Sequence, residues 1–382
     1  MAVDIAGVTA RLAAVPDHAV TLSSIDYAWG SPATAGLWHA SAVHPDGAEA
    51  TYFVKLLRHP RLWPGLGQIP EGPLREHFAS SFPWRFELEM ALSGIGAVLP
   101  PGLRLPTLHH HEEFDDHHVG LWWEFVHERR GPWSVAEFTH VAQLLGRLAA
   151  RRRAGAAAND ALPDACRIPD GAALRYLVEG RVLHGAGADL ADDELWRHPT
   201  LDEAVRTTGG PDLRDELRRH LPLLHEVLDE LDALPQTYAH GDASVQNLLI
   251  CDGEDDVVVI DWGFGSPLAV GFDLGQLLVG PMHAGLTPAS EIERIHPAIL
   301  EGYLQGLAVE GFDVDPEDVN FGYLGSLFAR SLFTALPVAE LRGSDSATLR
   351  RSVHERVALT RALLELTGPV VRDRLARSRA RA

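Results

Sequence analysis

The side chains best suited to chemistry lie in Tyr238-Ala-His-Gly-Asp-Ala-Ser-Val-Gln-Asn-Leu-Leu-Ile-Cys251 and in Val257-Val-Val-Ile-Asp-Trp-Gly263, which follows it closely. His240, Gly241, Asp242 and Asn247 fall on a stretch that reads as a loop. After it come a short apolar strand, an acidic turn over Asp252-Gly-Glu-Asp-Asp256, and a second apolar strand that ends in Asp261. Two apolar runs around a Gly-containing turn predict a β-hairpin. The hairpin folds Asp261 back beside Asn247, so that Asp242, Asn247 and Asp261 converge at one end of it. Oxygen donors of this kind suit a hard cation such as Mg²⁺, which takes one or two carboxylates together with phosphate oxygens.

His-x-Asp, four residues, Asn, then a hydrophobic strand and Ile-Asp-x-Gly resembles the catalytic loop and metal-binding turn of protein-kinase-like enzymes. Gly241 stands where protein kinases carry Arg, a residue that often reads a phosphorylated activation loop. In this the chain resembles the aminoglycoside phosphotransferase (APH) and small-molecule kinase branch, and the Gly argues against a protein substrate. The resemblance implies an α+β, bilobal protein-kinase-like fold. Residues 1–126 would form a nucleotide-binding lobe, a small antiparallel sheet with one helix, ending in the hinge. Residues 127–382 would form a mostly helical lobe with the catalytic loop and substrate pocket. It also implies transfer of the γ-phosphoryl group of ATP, or of GTP, to a small-molecule hydroxyl with Mg²⁺ bound. Asp242 would take the hydroxyl proton, Asn247 and Asp261 would hold the metal, and His240 would brace the loop. Asp273 matches a buried Asp of the family that holds the loop backbone.

Those groups need a frame. Val20 to Trp29, Leu37 to Val43 and Ala50 to Leu57 read as strands, with turns at Gly30 to Gly36 and at Pro45-Asp-Gly47. The first turn could set backbone N–H groups and the hydroxyls of Ser31 and Thr34 over phosphates; by itself it also reads as a plain hairpin connection. Lys55 is the only lysine in the chain. A point-like ammonium and a planar guanidinium are not interchangeable at a phosphate, and the third strand is where kinases keep their phosphate-binding lysine. The resemblance then asks for a helix bearing a Glu partner. Phe82 to Leu92 offers Glu87 and Glu89 on different faces, and Arg85-Phe-Glu87 favours Glu87. His59 to Ser81, rich in Pro and Gly, reads as an exposed insertion. Pro100 to Phe114 and Val119 to Val126 read as two more strands, and Leu121-Trp-Trp-Glu-Phe-Val126 matches the hinge. There the backbone of Glu124 and Val126 would read the adenine edge, with Phe125 among the side chains that enclose the ring.

Ser134-Val-Ala-Glu137 is a capping box that opens a helix, with Trp133 as its staple residue. Phe138, Val141, Leu144, Leu145 and Leu148 follow at helical spacing, and Arg151-Arg-Arg153 suits the helix C-terminus. Helices are expected over Ala172 to Leu183, Asp212 to Leu234 and several segments after Pro288. The acidic run Asp189 to Glu194 reads as a solvated loop that could face a cationic acceptor, and Arg372 to Ala382 as a frayed tail.

The net charge of −20 makes nucleic acid and anionic membranes poor partners and suits a cationic acceptor, such as a basic antibiotic or an amino sugar. No apolar run reaches membrane-spanning length, and the start lacks the layout of a signal peptide. Cys166 and Cys251 give no disulfide framework. A cytoplasmic monomer or homodimer is expected. Two other readings use the same residues. One is a catalytically silent, kinase-like nucleotide-binding protein. The other is a metal-dependent hydrolase built on Asp242, Asp261 and the tract His109-His-His-Glu-Glu-Phe-Asp-Asp-His-His118, whose neighbouring side chains should fan out to both faces of a hairpin tip.

Overall fold

Alternating apolar residues in the first third of the chain build a five-stranded antiparallel sheet in the order β1-β2-β3-β6-β5. Its strands are β1 Val20–Ser24, β2 Thr34–Val43, β3 Glu49–Arg58, β5 Leu108–Asp115 and β6 His118–Glu124. The computed structural model describes residues 3–25, 31–69, 71–160, 162–163, 168–253, 256–342 and 346–381. The far end of the first expected strand, up to Trp29, lies outside them, as does Cys166.

The period of two along β3 decides what faces what. Val54 and Leu56 point to one face, where they pack with Ala40, Trp122 and the helix α1, Ile5–Ala13. Thr9 on α1 accepts a hydrogen bond from the Trp122 indole at 2.9 Å. This helix was not anticipated from sequence. Lys55 and Leu57 point to the opposite face, where Leu57, Leu121 and Trp123 pack against Leu88. Leu88 sits on a helix that is shorter than expected. The helix expected over Phe82 to Leu92 forms only from Phe86: α2 runs Pro73–Ser81, the chain breaks around Pro83, and α3 runs Phe86–Leu92. Proline clashes with a helical residue before it, which ends α2 where it does. The insertion His59 to Ser81 is therefore partly helical.

A second sheet joins β4 Leu103–Arg104, β9 Val257–Val259 and β8 Leu248–Ile250. The β8–β9 hairpin is antiparallel as expected, with Leu248 opposite Val259; the strand expected over Pro100 to Phe114 divides, its first part β4 pairing parallel with β9 instead of continuing into β5. Strands β7 Gln236–Ala239 and β10 Ser266–Ala269 pair antiparallel on either side of it in sequence.

The remainder is helical. Besides short helices at Gly187–Ala191, Asp193–Trp196, Pro199–Ala204 and Val338–Leu341, it contains α4 Val135–Arg151, α5 Ala172–Leu177, α6 Leu213–His220, α7 Leu224–Asp232, α8 Asp273–His283, α9 Ile292–Val309, α10 Pro316–Leu327 and α11 Ala347–Arg381. Both halves of the capping box on α4 are made, and the rings of Trp133 and Phe138 lie 5.3 Å apart. Replacing Ser134 with Ala should cost about 1 kcal/mol, read as a lower urea midpoint at unchanged slope. Arg152 does more than end this helix. It is fully buried, with its guanidinium 4.1 Å from the Tyr238 ring. The basic tail is no frayed end either, because α11 continues to Arg381. Arg374 pairs with Glu230 and Asp318, and Arg379 with Glu226. No helix among the described residues is long and apolar enough to cross a membrane.

Candidate active site

Strand β7 delivers the chain into the loop His240 to Asn247, and the loop's backbone is held from below. The buried carboxylate of Asp273, at the start of α8, accepts the N–H groups of His240 and Gly241, each at 2.9 Å. Burial pushes this carboxyl up from its usual range, against the pull of His240 and the two N–H donors. The His240 ring ties the two halves of the motif together: Nε2 reaches the Ile260 carbonyl at 2.9 Å, and Nδ1 accepts the Asp242 N–H at 3.2 Å. Its ring also lies 4.7 Å from that of Trp262.

Gly241 has φ +84°, and a Cβ there would lie 2.1 Å from the Phe264 carbonyl oxygen. Both the conformation and the space exclude a side chain. Gly241→Ala should therefore lower stability by about 1–3 kcal/mol and displace the loop, seen as a lower denaturation midpoint together with a loss of turnover.

The hairpin brings its two ends together, since the Ile260 N–H donates to the Asn247 carbonyl at 3.0 Å. Asn247 Nδ2 donates to the Asp242 carbonyl at 2.9 Å and to Asp242 Oδ2 at 3.2 Å, which leaves its amide oxygen for another partner. Asp261 adopts φ +55°, one of two described non-glycine residues with positive φ. Asp tolerates this region better than most residues, and such conformations concentrate at functional sites. Its half-buried carboxylate makes no hydrogen bond or ion pair with a described residue. A carboxylate and an amide oxygen so disposed fit an oxygen-seeking cation such as Mg²⁺.

Across the cleft, Lys55 Nζ forms an ion pair with Glu87, and both side chains are largely buried. Glu89, two residues on, faces elsewhere. Burial raises the Glu87 carboxyl; the Lys55 ammonium lowers it, and the negative charge of nearby Asp261 raises it further. The Lys55–Glu87 pair and Asp261, just past β9, thus border one space.

The remaining expected residues are placed as follows. Ser31 is exposed on the turn before β2, and its Oγ accepts the Ala33 N–H at 3.3 Å. Thr34 is only 5% exposed at the start of β2. Glu124 ends β6 with its carboxylate paired to Arg104 at 2.8 Å and its N–H donated to Thr107. Phe125 packs against His39, ring centres 4.3 Å apart with the planes tilted by 47°, and Val126 follows without a backbone hydrogen bond among the described residues. Asp189 and Asp193 of the acidic run pair with Arg342 and Arg214. The His tract spreads along β5 and β6; among the described residues no group of three or more His, Cys, Asp or Glu side chains is placed to hold a metal.

One residue of this site went unread in the sequence. Arg330 donates to Asp242 Oδ1 at 2.9 Å and also to the Gly241 carbonyl. A signal was available, because Arg330 is the only charged residue between Asp318 and Glu340. A lone cation in a long apolar run needs a buried partner.

A family model described as the APH phosphotransferase enzyme family matches residues 87–314, more than half of the chain. No curated protein matches the chain at significant similarity. Among solved structures, the aminoglycoside phosphotransferase from Alicyclobacillus acidocaldarius is similar at TM-score 0.50 and 13% identity, over 93% of this chain and 92% of that one. A choline kinase from Cryptosporidium parvum is similar at TM-score 0.49 and 12% identity, over 97% of this chain and 96% of that one. At this identity the likeness to the Alicyclobacillus structure speaks for the fold alone, an antiparallel sheet followed by a mostly helical remainder. With the loop, the hairpin and the family match in hand, the chain belongs to the APH phosphotransferase enzyme family and is a small-molecule kinase with the bilobal protein-kinase-like fold.

Proposed function

We propose that this enzyme transfers the γ-phosphoryl group of ATP to a hydroxyl of a small molecule, with Asp242, Asn247, Asp261 and Lys55 as its working groups. The reading rests above all on one arrangement: Lys55 with Glu87 on one side of a cleft, and Asp242, Asn247 and Asp261 on the other. Phosphoryl transfer asks a protein for positioning and charge neutralisation more than for covalent chemistry. Asp242 accepts a hydrogen bond from the acceptor hydroxyl and takes its proton as the new O–P bond forms and the bond to the β-phosphate oxygen breaks, releasing ADP. Lys55, oriented by Glu87, holds α/β-phosphate oxygens. Asn247 and Asp261 hold Mg²⁺, which when bound neutralises the triphosphate. His240 braces the loop. The backbone near Glu124 and Val126, with the Phe125 ring, receives the base, and GTP would use the same backbone. Of the two hydroxyls expected at the phosphates, the exposed Ser31 would reach them; Thr34 is buried and its N–H donates to the Ser31 carbonyl at 3.4 Å.

The acceptor hydroxyl belongs to a small molecule, and the excess of acidic residues favours a cationic one such as an aminoglycoside or amino sugar. Antibiotic resistance and a cytoplasmic location follow from that reading. The test is an ATP-consumption and phosphate-transfer screen of the purified enzyme with Mg²⁺ against aminoglycosides, nucleoside and peptide antibiotics, amino sugars and choline-like alcohols. Transfer to at least one class is expected. Nucleotide binding without transfer to any of them would favour the catalytically silent alternative.

A further inference from the structure

We infer that Arg330 is the positioning residue of the phosphoryl acceptor site, holding the Asp242 carboxylate in the one orientation from which it can aim an acceptor hydroxyl; this rests on the phosphotransfer reading above. Three observations meet at this residue.

The first is the geometry of the carboxylate. Arg330 donates to Oδ1 at 2.9 Å while Asn247 donates to Oδ2 at 3.2 Å, so each oxygen has one fixed donor. A carboxylate offers about four lone-pair positions, so both oxygens keep accepting capacity, now in set directions. The second guanidinium contact, to the Gly241 carbonyl, ties the same cation to the backbone just before Asp242. Arg330 therefore fixes the side chain relative to its own loop.

The second observation is how Arg330 is presented. Helix α10 does not end at Leu327 but widens into a π-turn over Phe328–Leu332. Such turns are rare and gather at functional sites, because they insert one residue into the helical repeat and re-aim a side chain. A second π-segment, Val178–Ala186, which continues α5, packs against the first.

The third observation is the surroundings. The guanidinium centre lies 5.9 Å from the Phe264 ring and 5.8 Å from the Phe272 ring, contacts that favour a cation. The side chain is 14% exposed. Burial lowers the affinity of this guanidinium for its proton, and the charges of Asp242 and Asp273 oppose that effect. A buried cation that loses its carboxylate is strongly unfavourable, so Arg330 and Asp242 hold one another. The residue lies outside the family-matched residues 87–314, on the helix that follows them.

The experiment compares Arg330→Lys, Arg330→Met and Arg330→Ala with the wild type, using ATP and Mg²⁺ with the best acceptor from the screen. Melting temperature and calorimetric ATP binding are measured alongside. For Met and Ala, kcat should fall about a hundredfold, the scale of a misplaced catalytic group, while the KM for ATP changes by less than about threefold. Lys should recover part of the loss, and added guanidinium should restore part of kcat to the Ala variant alone. A merely structural role would not produce that rescue. Wild-type kcat in the Met and Lys variants, loss of ATP binding in step with kcat, or a folded Ala variant deaf to guanidinium would each overturn the inference. If the Ala variant does not fold, Met and Lys decide. A wild-type enzyme that binds ATP and transfers phosphate to no acceptor brings down the phosphotransfer reading itself. An active wild type with equally active Met and Lys variants brings down only the role of Arg330.

Discussion

Asp242→Asn should bind ATP with Mg²⁺ as the wild type does and transfer phosphate about 10²–10⁴ times more slowly, the usual worth of a positioned general base. The substitution keeps an oxygen that can accept from Arg330 and removes the negative charge that draws the hydroxyl proton. Asp242→Ala is a different experiment. It leaves the buried Arg330 guanidinium facing no acceptor where Oδ1 stood, so it should also lower the melting temperature, whereas Asn should change it little. Single-turnover kinetics with bound ATP, beside calorimetry, separate the two effects. An Asn variant with wild-type turnover would remove Asp242 from the chemistry.

Lys55→Met should lower kcat/KM for ATP by about 10²–10³, the scale of losing one preorganised contact to developing charge. Lys55→Arg should not restore it, because a planar guanidinium cannot occupy the place of an ammonium packed between β3 and α3. A pH signature accompanies the loss. Burial raises the Glu87 carboxyl, and Lys55 is the main influence holding it down. Without Lys55 that carboxyl rises further. A group with a raised pKa in the folded state binds protons more readily folded than unfolded, so its contribution favours the fold at low pH and fades as pH rises through the raised value. The Met variant should therefore lose stability with rising pH more steeply than the wild type, and adding Glu87→Gln should flatten the slope. Urea midpoints from acidic to neutral pH check this.

How far these features could be read in advance follows from the distance over which each is decided. The loop and hairpin were legible because their contacts are nearly local: Asp242, Asn247 and Asp261 lie within twenty residues, and a two-stranded turn leaves few ways to arrange them. The α4 capping box was legible for the same reason. Lys55 stood out by composition alone. Boundaries were less secure: the helix expected from Phe82 begins only at Phe86, past Pro83, and α1 was hidden because a short N-terminal helix owes its stability to the sheet it covers.

By itself, the order of residues determined which groups are available for chemistry and how those within one loop or hairpin face each other, since helical and strand periods set side-chain direction. Only the tertiary structure decided which of those directions meet. It set Glu87 rather than Glu89 against Lys55, buried Arg152 against Tyr238, and turned Arg330 onto a carboxylate eighty-eight residues away. Such pairings depend on how apolar faces distant in the chain pack, and that packing leaves little local trace.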